Sequence, residues 1–347
     1  MLHHIPSVIR ASNATALPLL EMITPSSAGY PIYHTDHRSI FPQISDKHLS
    51  LLVPTVLYWA CSLGWHFLDT MKFPYFEKRR IHESPEVMAR NKCTVAEVVR
   101  AVMLQHLIQT VLGLVWFGNE ESIYQTEVKV NHLGKMAALA PKVAKGAFLL
   151  LGPRTGEAVL RSYGEGLVRW VYWWGIPAAQ LVFAFFLLDT WQYFLHRLFH
   201  TNRFLYKHVH SVHHRLYVPY AFGALYNHPA EAFLFDSLGS VVAHELSGMT
   251  IRQAILFFAI SSIKTVDDHA GYRLAWDPCQ FLFANNADYH DIHHQMYGLK
   301  SNFSQPYFIN WDVLLRTRMT RAQASAKVRP SVRSKTAVPA TLIDKTE

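Results

Sequence analysis

The sequence predicts an all-α integral membrane protein: three to four transmembrane helices and a re-entrant hairpin, with a helical, histidine-rich cap on the cytosolic side. Three observations carry this. Half of the 347 residues are hydrophobic and only 17% are charged, against roughly 25% in soluble domains. Three stretches approach the run of about 17–25 apolar residues that a bilayer core demands. The 21 histidines include three patterned boxes that follow the last of these stretches.

Residues 1–47 read as an exposed, poorly structured leader. Their apolar run is short and is interrupted by Pro18 and Glu21, and it lacks the form of a cleaved signal peptide. The first span, 49–68, holds no Asp, Glu, Lys or Arg. The second, 101–117, is weakened by Gln105, His106 and Gln109. The third, 170–188, opens on Trp170, Trp173 and Trp174, placed like an interfacial belt. Residues 232–243, which include Asp236, and 253–263 are too short to span alone. They read as a helical hairpin that enters the membrane and returns on the same side. The chain therefore divides into the leader, N-terminal spans and loops over 48–167, a box-bearing domain over 168–318, and a disordered basic tail over 319–347.

The formal charge is +8, but the basic residues sit in loops and tail rather than in a stripe, which excludes nucleic acid as a partner. Loop-biased charge is what the positive-inside rule produces. The connection 70–97 carries Lys72, Lys78, Arg79, Arg80, Arg90 and Lys92, a higher basic density than 118–168, so it marks the cytosolic side. Cys61, Cys93 and Cys279 are too scattered for a disulfide framework or a zinc cluster. No P-loop, GxGxxG or HExxH occurs.

The boxes are His196-x-x-x-His200, His210-x-x-His213-His214 and His290-x-x-His293-His294. On a helix, residues three and four apart share a face. The first box then offers two imidazoles on one side, and each HxxHH offers three, its adjacent pair splayed enough to serve two metals. Imidazole suits iron, zinc, copper and nickel, and eight ligands exceed what one ion needs. His228 and His269, between the boxes, are candidates to complete the shells; His208 lies on another face. Asp189 and Tyr193 fall on the stripe of His196 and His200, where a carboxylate or phenol can orient a ligating imidazole.

These boxes, in this order and with only nine residues between His200 and His210, resemble the fatty acid hydroxylase and sterol desaturase superfamily of membrane di-iron oxygenases. The likeness covers about residues 168–318. The wording around the boxes is most similar to the sphinganine 4-hydroxylase branch. It is carried by His196 through Asn202, by the run from His210 to Asn227-His228-Pro229, by Lys264-Thr265-Val266-Asp267-Asp268-His269, and by Asn285-Asn286-Ala287-Asp288-Tyr289-His290. The resemblance implies two iron ions, O2-dependent hydroxylation of a long-chain base or ceramide, and residence in the endoplasmic reticulum membrane. No His-Pro-Gly-Gly haem motif is present, since His228-Pro229 continues with Ala230. The two electrons per turnover are thus expected from a separate cytochrome b5 and its NADH-dependent reductase. Asp267 and Asp268 are candidates to meet an ammonium head.

Two other readings use the same residues. A sterol C4-methyl oxidase or sterol desaturase would keep the machinery and change the lipid. A histidine-rich metal transporter would put its polar ligands at mid-span, whereas the boxes here follow the spans.

Overall fold

The structure, a computed structural model, describes residues 13–327. It is mostly helical, and three helical runs among the described residues are long and apolar enough to cross a membrane: Asp46–Met71, Val95–Trp116 and His132–Thr201. The principal helices are α1 (Asn13–Ile23), α2 (Asp46–Met71), α3 (Val95–Trp116), α4 (His132–Trp170), α5 (Ile176–Thr201), α6 (Gly239–Ser247), α7 (Ile251–Asp268) and α8 (Ala287–His294). The chain separates into two compact units. One contains the chain up to Asp46, Gly118–Val182 and Met249–Ile251; the other contains Lys47–Phe117, Phe183–Gly248 and the chain from Arg252 onward.

The larger unit holds the boxes. Its α2 and α3 turn broad apolar faces outward, with Leu52, Val56, Leu63 and Phe67 on α2 and Leu107, Val111 and Val115 on α3 all exposed, as a lipid-facing surface requires. Helix α3 starts at a reciprocal cap: Glu97 N donates to Thr94 Oγ1 at 3.2 Å and Thr94 N to Glu97 Oε2 at 2.7 Å, so two otherwise orphaned amides are satisfied. Helix α6 ends at Gly248, which adopts a left-handed φ of 63°, a C-cap conformation that favours glycine. Helix α7 begins at Ile251, so two helices joined by a short turn occupy the stretch expected to form the hairpin. Residues 70–97 fold onto the box-bearing part: His82 Nε2 lies 2.7 Å from Asp291 Oδ1, Ile81 N donates to Gly271 O at 2.9 Å, and Lys92 N to Arg215 O at 2.8 Å.

The smaller unit departs from the sequence reading. Residues 118–168, expected to be a connecting loop, are mostly helix, and α4 doubles back on itself at Gly152, whose φ is 74°. His132 Nδ1 meets Tyr172 Oη at 2.8 Å across this αα-hairpin. Its tip exposes Leu149, Leu150 and Leu151. The leader is also ordered from Asn13. Leu19 and Ile23, one helical turn apart, are buried in a cluster with Met136, Leu160 and Val168. Gly164 permits that approach, since a Cβ there would stand 2.2 Å from Ile23 Cγ2.

The tail needs the same correction over its first residues. Met319 and Ala324 are buried with Ile292, and Arg321 Nη2 donates to Asp291 Oδ2 at 2.7 Å. Residues 328–347, the rest of the expected disordered tail, lie outside the described residues. The division at 168 is not a structural boundary either: the first two spans belong to the compact unit that bears the boxes.

Candidate metal centre

The last two turns of α5 carry His196 and His200 on the stripe that also buries Leu188, Asp189, Gln192 and Tyr193. The second box is a tight 3-10 turn, His210–Arg215, rather than an α-helix. The third box lies on α8, started by Asn286, whose side chain accepts from Tyr289 N. Together they bring nine imidazoles into two groups. His196, His200, His210, His214 and His293 form one; His213, His269, His290 and His294 form the other, and within each the ligand atoms lie within 4.8 Å of one another. The neighbours His213 and His214 enter different groups, as do His293 and His294. His269 completes the second group. His228 belongs to neither among the described residues; it caps the short helix Pro229–Ala232, accepting from Ala230 N at 3.2 Å. Its place beside a proline at a helix start puts its ring to that local use.

The donor set fits metal ions. Nδ1 of His196 faces Phe303 O at 2.8 Å, His213 faces Tyr226 O at 3.1 Å, His269 faces Thr265 O at 2.9 Å, His293 faces Ser301 O at 2.8 Å and His294 faces Leu216 O at 2.8 Å. A carbonyl only accepts, so Nδ1 carries the proton and Nε2 keeps a lone pair. Those Nε2 atoms converge. His196 and His210 stand 3.1 Å apart, His200 and His210 2.8 Å, His269 and His290 3.1 Å, and His290 and His294 3.0 Å. Two ligands at right angles on one ion, each roughly 2.1 Å from it, are about 3 Å apart. His293 Nε2 is buried without a hydrogen-bond partner, as a lone pair reserved for a cation would be. Burial holds the rings neutral: it pushes His213 down to about 4 and His210, His269 and His293 to about 3. Neutral imidazole is the ligating form.

The groups that aim these rings differ from those expected. Asp189 accepts from the backbone N–H of Tyr307 and Phe308, so it pins the loop beyond Phe303 rather than touching a histidine. Tyr193 Oη pairs with Thr317 Oγ1 at 3.0 Å. The carboxylate that does meet a ring is Glu231, whose Oε1 accepts from His210 Nδ1 at 2.6 Å. Asp312 is fully buried and accepts from Phe303 N, Ser304 N and Tyr289 Oη at 2.8–3.0 Å. It thereby fixes the carbonyl that aims His196. Neither Glu231 nor Asp312 was singled out from sequence; an acid beside the Asn-His-Pro run was the available signal for the first.

A family model described as fatty acid hydroxylase matches residues 181–317. A sphingolipid C4-hydroxylase of Saccharomyces cerevisiae is 47% identical over 279 residues, 80% of this chain and 74% of the relative. The chain belongs to the fatty acid hydroxylase family. A sphinganine C4-monooxygenase of Arabidopsis thaliana is 37% identical over 292 residues, covering 83% of this chain and 95% of its own. A very-long-chain aldehyde decarbonylase of Oryza sativa is 37% identical over 276 residues, 80% and 90% of the two chains. No solved structure matches.

In this family member two adjacent cavities lie beside the histidine groups. A slot of about 330 Å³ runs between α2, α3, α5 and the α6–α7 hairpin, lined by such residues as Leu51, Tyr58, Leu188, Phe233 and Val241. A chamber of about 50 Å³ lies against His210, His213, His269 and His290. Gln192, Asp236, Thr265 and Pro306 line both, so the slot and the chamber are adjacent.

Proposed function

We propose that this protein hydroxylates carbon 4 of a sphinganine-type long-chain base. The observation that carries the reading is the pairing of two groups of neutral histidines with an apolar slot that shares four lining residues with the chamber beside them. Two iron ions fit this donor set, the first held by His196, His200, His210, His214 and His293 and the second by His213, His269, His290 and His294. Iron, when bound, supplies the activation of O2 that an unactivated C–H bond requires. The net change is C–H to C–OH, with the second oxygen atom of O2 leaving as water after two electrons and two protons arrive. Those electrons come from a separate cytochrome b5 and its NADH-dependent reductase.

The protein's own work is placement. Methylenes along a saturated chain are nearly equivalent, so the choice of one carbon rests on position, and small displacements of a reacting atom are costly. The slot walls hold the tail and exclude water; the chamber holds the polar end. The names of the Saccharomyces cerevisiae and Arabidopsis thaliana relatives above accord with this substrate. Expression in cells lacking the hydroxylase, followed by mass spectrometry of long-chain bases, tests it. The reading requires 4-hydroxysphinganine with the native chain; an oxidised sterol or a shortened hydrocarbon in its place would move the assignment to another branch of the family.

We further place the protein in the endoplasmic reticulum membrane with its histidines on the cytosolic side. The basic connection 70–97 and the boxes share one side, because that connection packs on Asp291 and Gly271, and higher basic density marks the cytosol. In sealed microsomes, a tag appended after Glu347 is expected to be digested by external protease. Protection of the tag would invert the topology.

A further inference from the structure

The substrate reading above leaves one demand unmet. In a 2-amino-1,3-diol the amine-bearing carbon is only two bonds from carbon 4. The head must therefore lie beside the metal centre, inside the small chamber. An ammonium so close to two bound cations is repelled by both unless anions stand near it, since Coulomb energies grow steeply at a few ångströms in a low-dielectric site.

The chamber supplies those anions from two consecutive elements. Glu231 lies in the short helix Pro229–Ala232 and Asp236 in the π-helix Phe233–Leu238 that follows it, a form frequent at functional sites. Both side chains line the chamber. Glu231 is 2% exposed. Its Oε1 is occupied by His210, but its Oε2 is buried with no hydrogen-bond partner. Asp236 sits where slot meets chamber and is aimed by Gln105 of α3, whose Nε2 donates to Oδ2 at 2.9 Å. Of the acids expected from sequence, Asp268 lines the chamber but is paired with Lys264, and Asp267 does not line it.

We infer that Glu231 and Asp236 bind the amino head of the long-chain base and that the substrate is the free amine rather than its N-acylated form. An N-acyl group removes the charge these carboxylates would neutralise.

The test uses purified holoenzyme with its electron donors and two substrates, sphinganine and N-acetylsphinganine. The ratio of their kcat/KM values is read on one preparation, so folding and metal loading cancel. The native ratio favours the free amine. Asp236→Asn and Glu231→Gln each lower it at least tenfold, and Asp236→Glu restores it for the first site. A ratio unchanged in both amide variants overturns the inference. Should Asp236→Asn turn over neither substrate, Gln105→Leu, which releases Asp236 from its hydrogen bond, reads the same ratio, and an unchanged value there overturns it equally. A native chain that converts neither compound instead sinks the substrate reading itself.

Discussion

Replacing His213 or His293 by alanine is expected to abolish formation of the 4-hydroxy product and to strip metal from the purified protein, whereas the native chain is expected to hold two ions. His213 is one of four imidazoles in its group and His293 one of five in the other, and each is the neighbour of a histidine that serves the opposite group. Removing either ring leaves buried lone pairs facing one another across a gap, with too few ligands to bring the cation there. The expected loss exceeds the roughly 10 to 100-fold that deleting a hydrogen-bonding partner of a ligand costs. His228→Ala provides the contrast. It removes a helix cap, worth about 1 kcal/mol, and retains both ions, because His228 lies outside the two groups. Metal analysis and turnover on the same preparations decide the matter. Undiminished turnover in His213→Ala would refute this assignment, as would a fully active native protein with a single ion.

What was legible in the sequence follows from which interactions are local. The spans announce themselves through apolar length, and the box spacing places ligands on shared turns whether the turn is α, as at His290–His294, or 3-10, as at His210–His214. His228 and His269 look alike in sequence, each a single histidine between boxes. Only the tertiary fold separates them: His269 follows α7 back to the boxes, while His228 spends its Nδ1 on Ala230 N. Asp189 shares a helix face with His196, yet its partners are the amides of Tyr307 and Phe308, more than a hundred residues away. The turn at Gly152 was hidden because glycine and proline inside a helical pattern mark either a kink or a full reversal. The slot takes walls from α2 and α3 as well as from later segments, a pairing that only tertiary contacts such as Tyr58 Oη donating to Phe222 O at 2.6 Å establish. Asp236 did carry a signal, since an acid inside a short apolar stretch is costly there and marks a functional position by default.

Lys264→Met is expected to destabilise the protein by about 3–5 kcal/mol, the cost of leaving one member of a buried ion pair without its partner. Lys264 is completely buried. Its ammonium donates to Asp268 Oδ1 and, at 3.0 Å, to Asn285 O. It thus ties α7 to the segment that leads into the third box, and Asp268 directly precedes His269. Methionine fills nearly the same volume, so the loss reports charge rather than packing. The carboxylate left behind would have to stay ionised without a cation or take up a proton, and either course disturbs the turn that presents His269. Replacing both members, Lys264→Met with Asp268→Leu, removes the uncompensated charge, and such double replacements are often neutral or stabilising. Denaturant unfolding in detergent should therefore rank the double variant above the single one. If the two variants unfold together well below the native protein, the pair matters for its shape and hydrogen bonds to Asn285 rather than for its charge. If Lys264→Met unfolds with the native protein, Asp268 is held without the ammonium, and the tie between α7 and the third box must be sought in the packing around Val266.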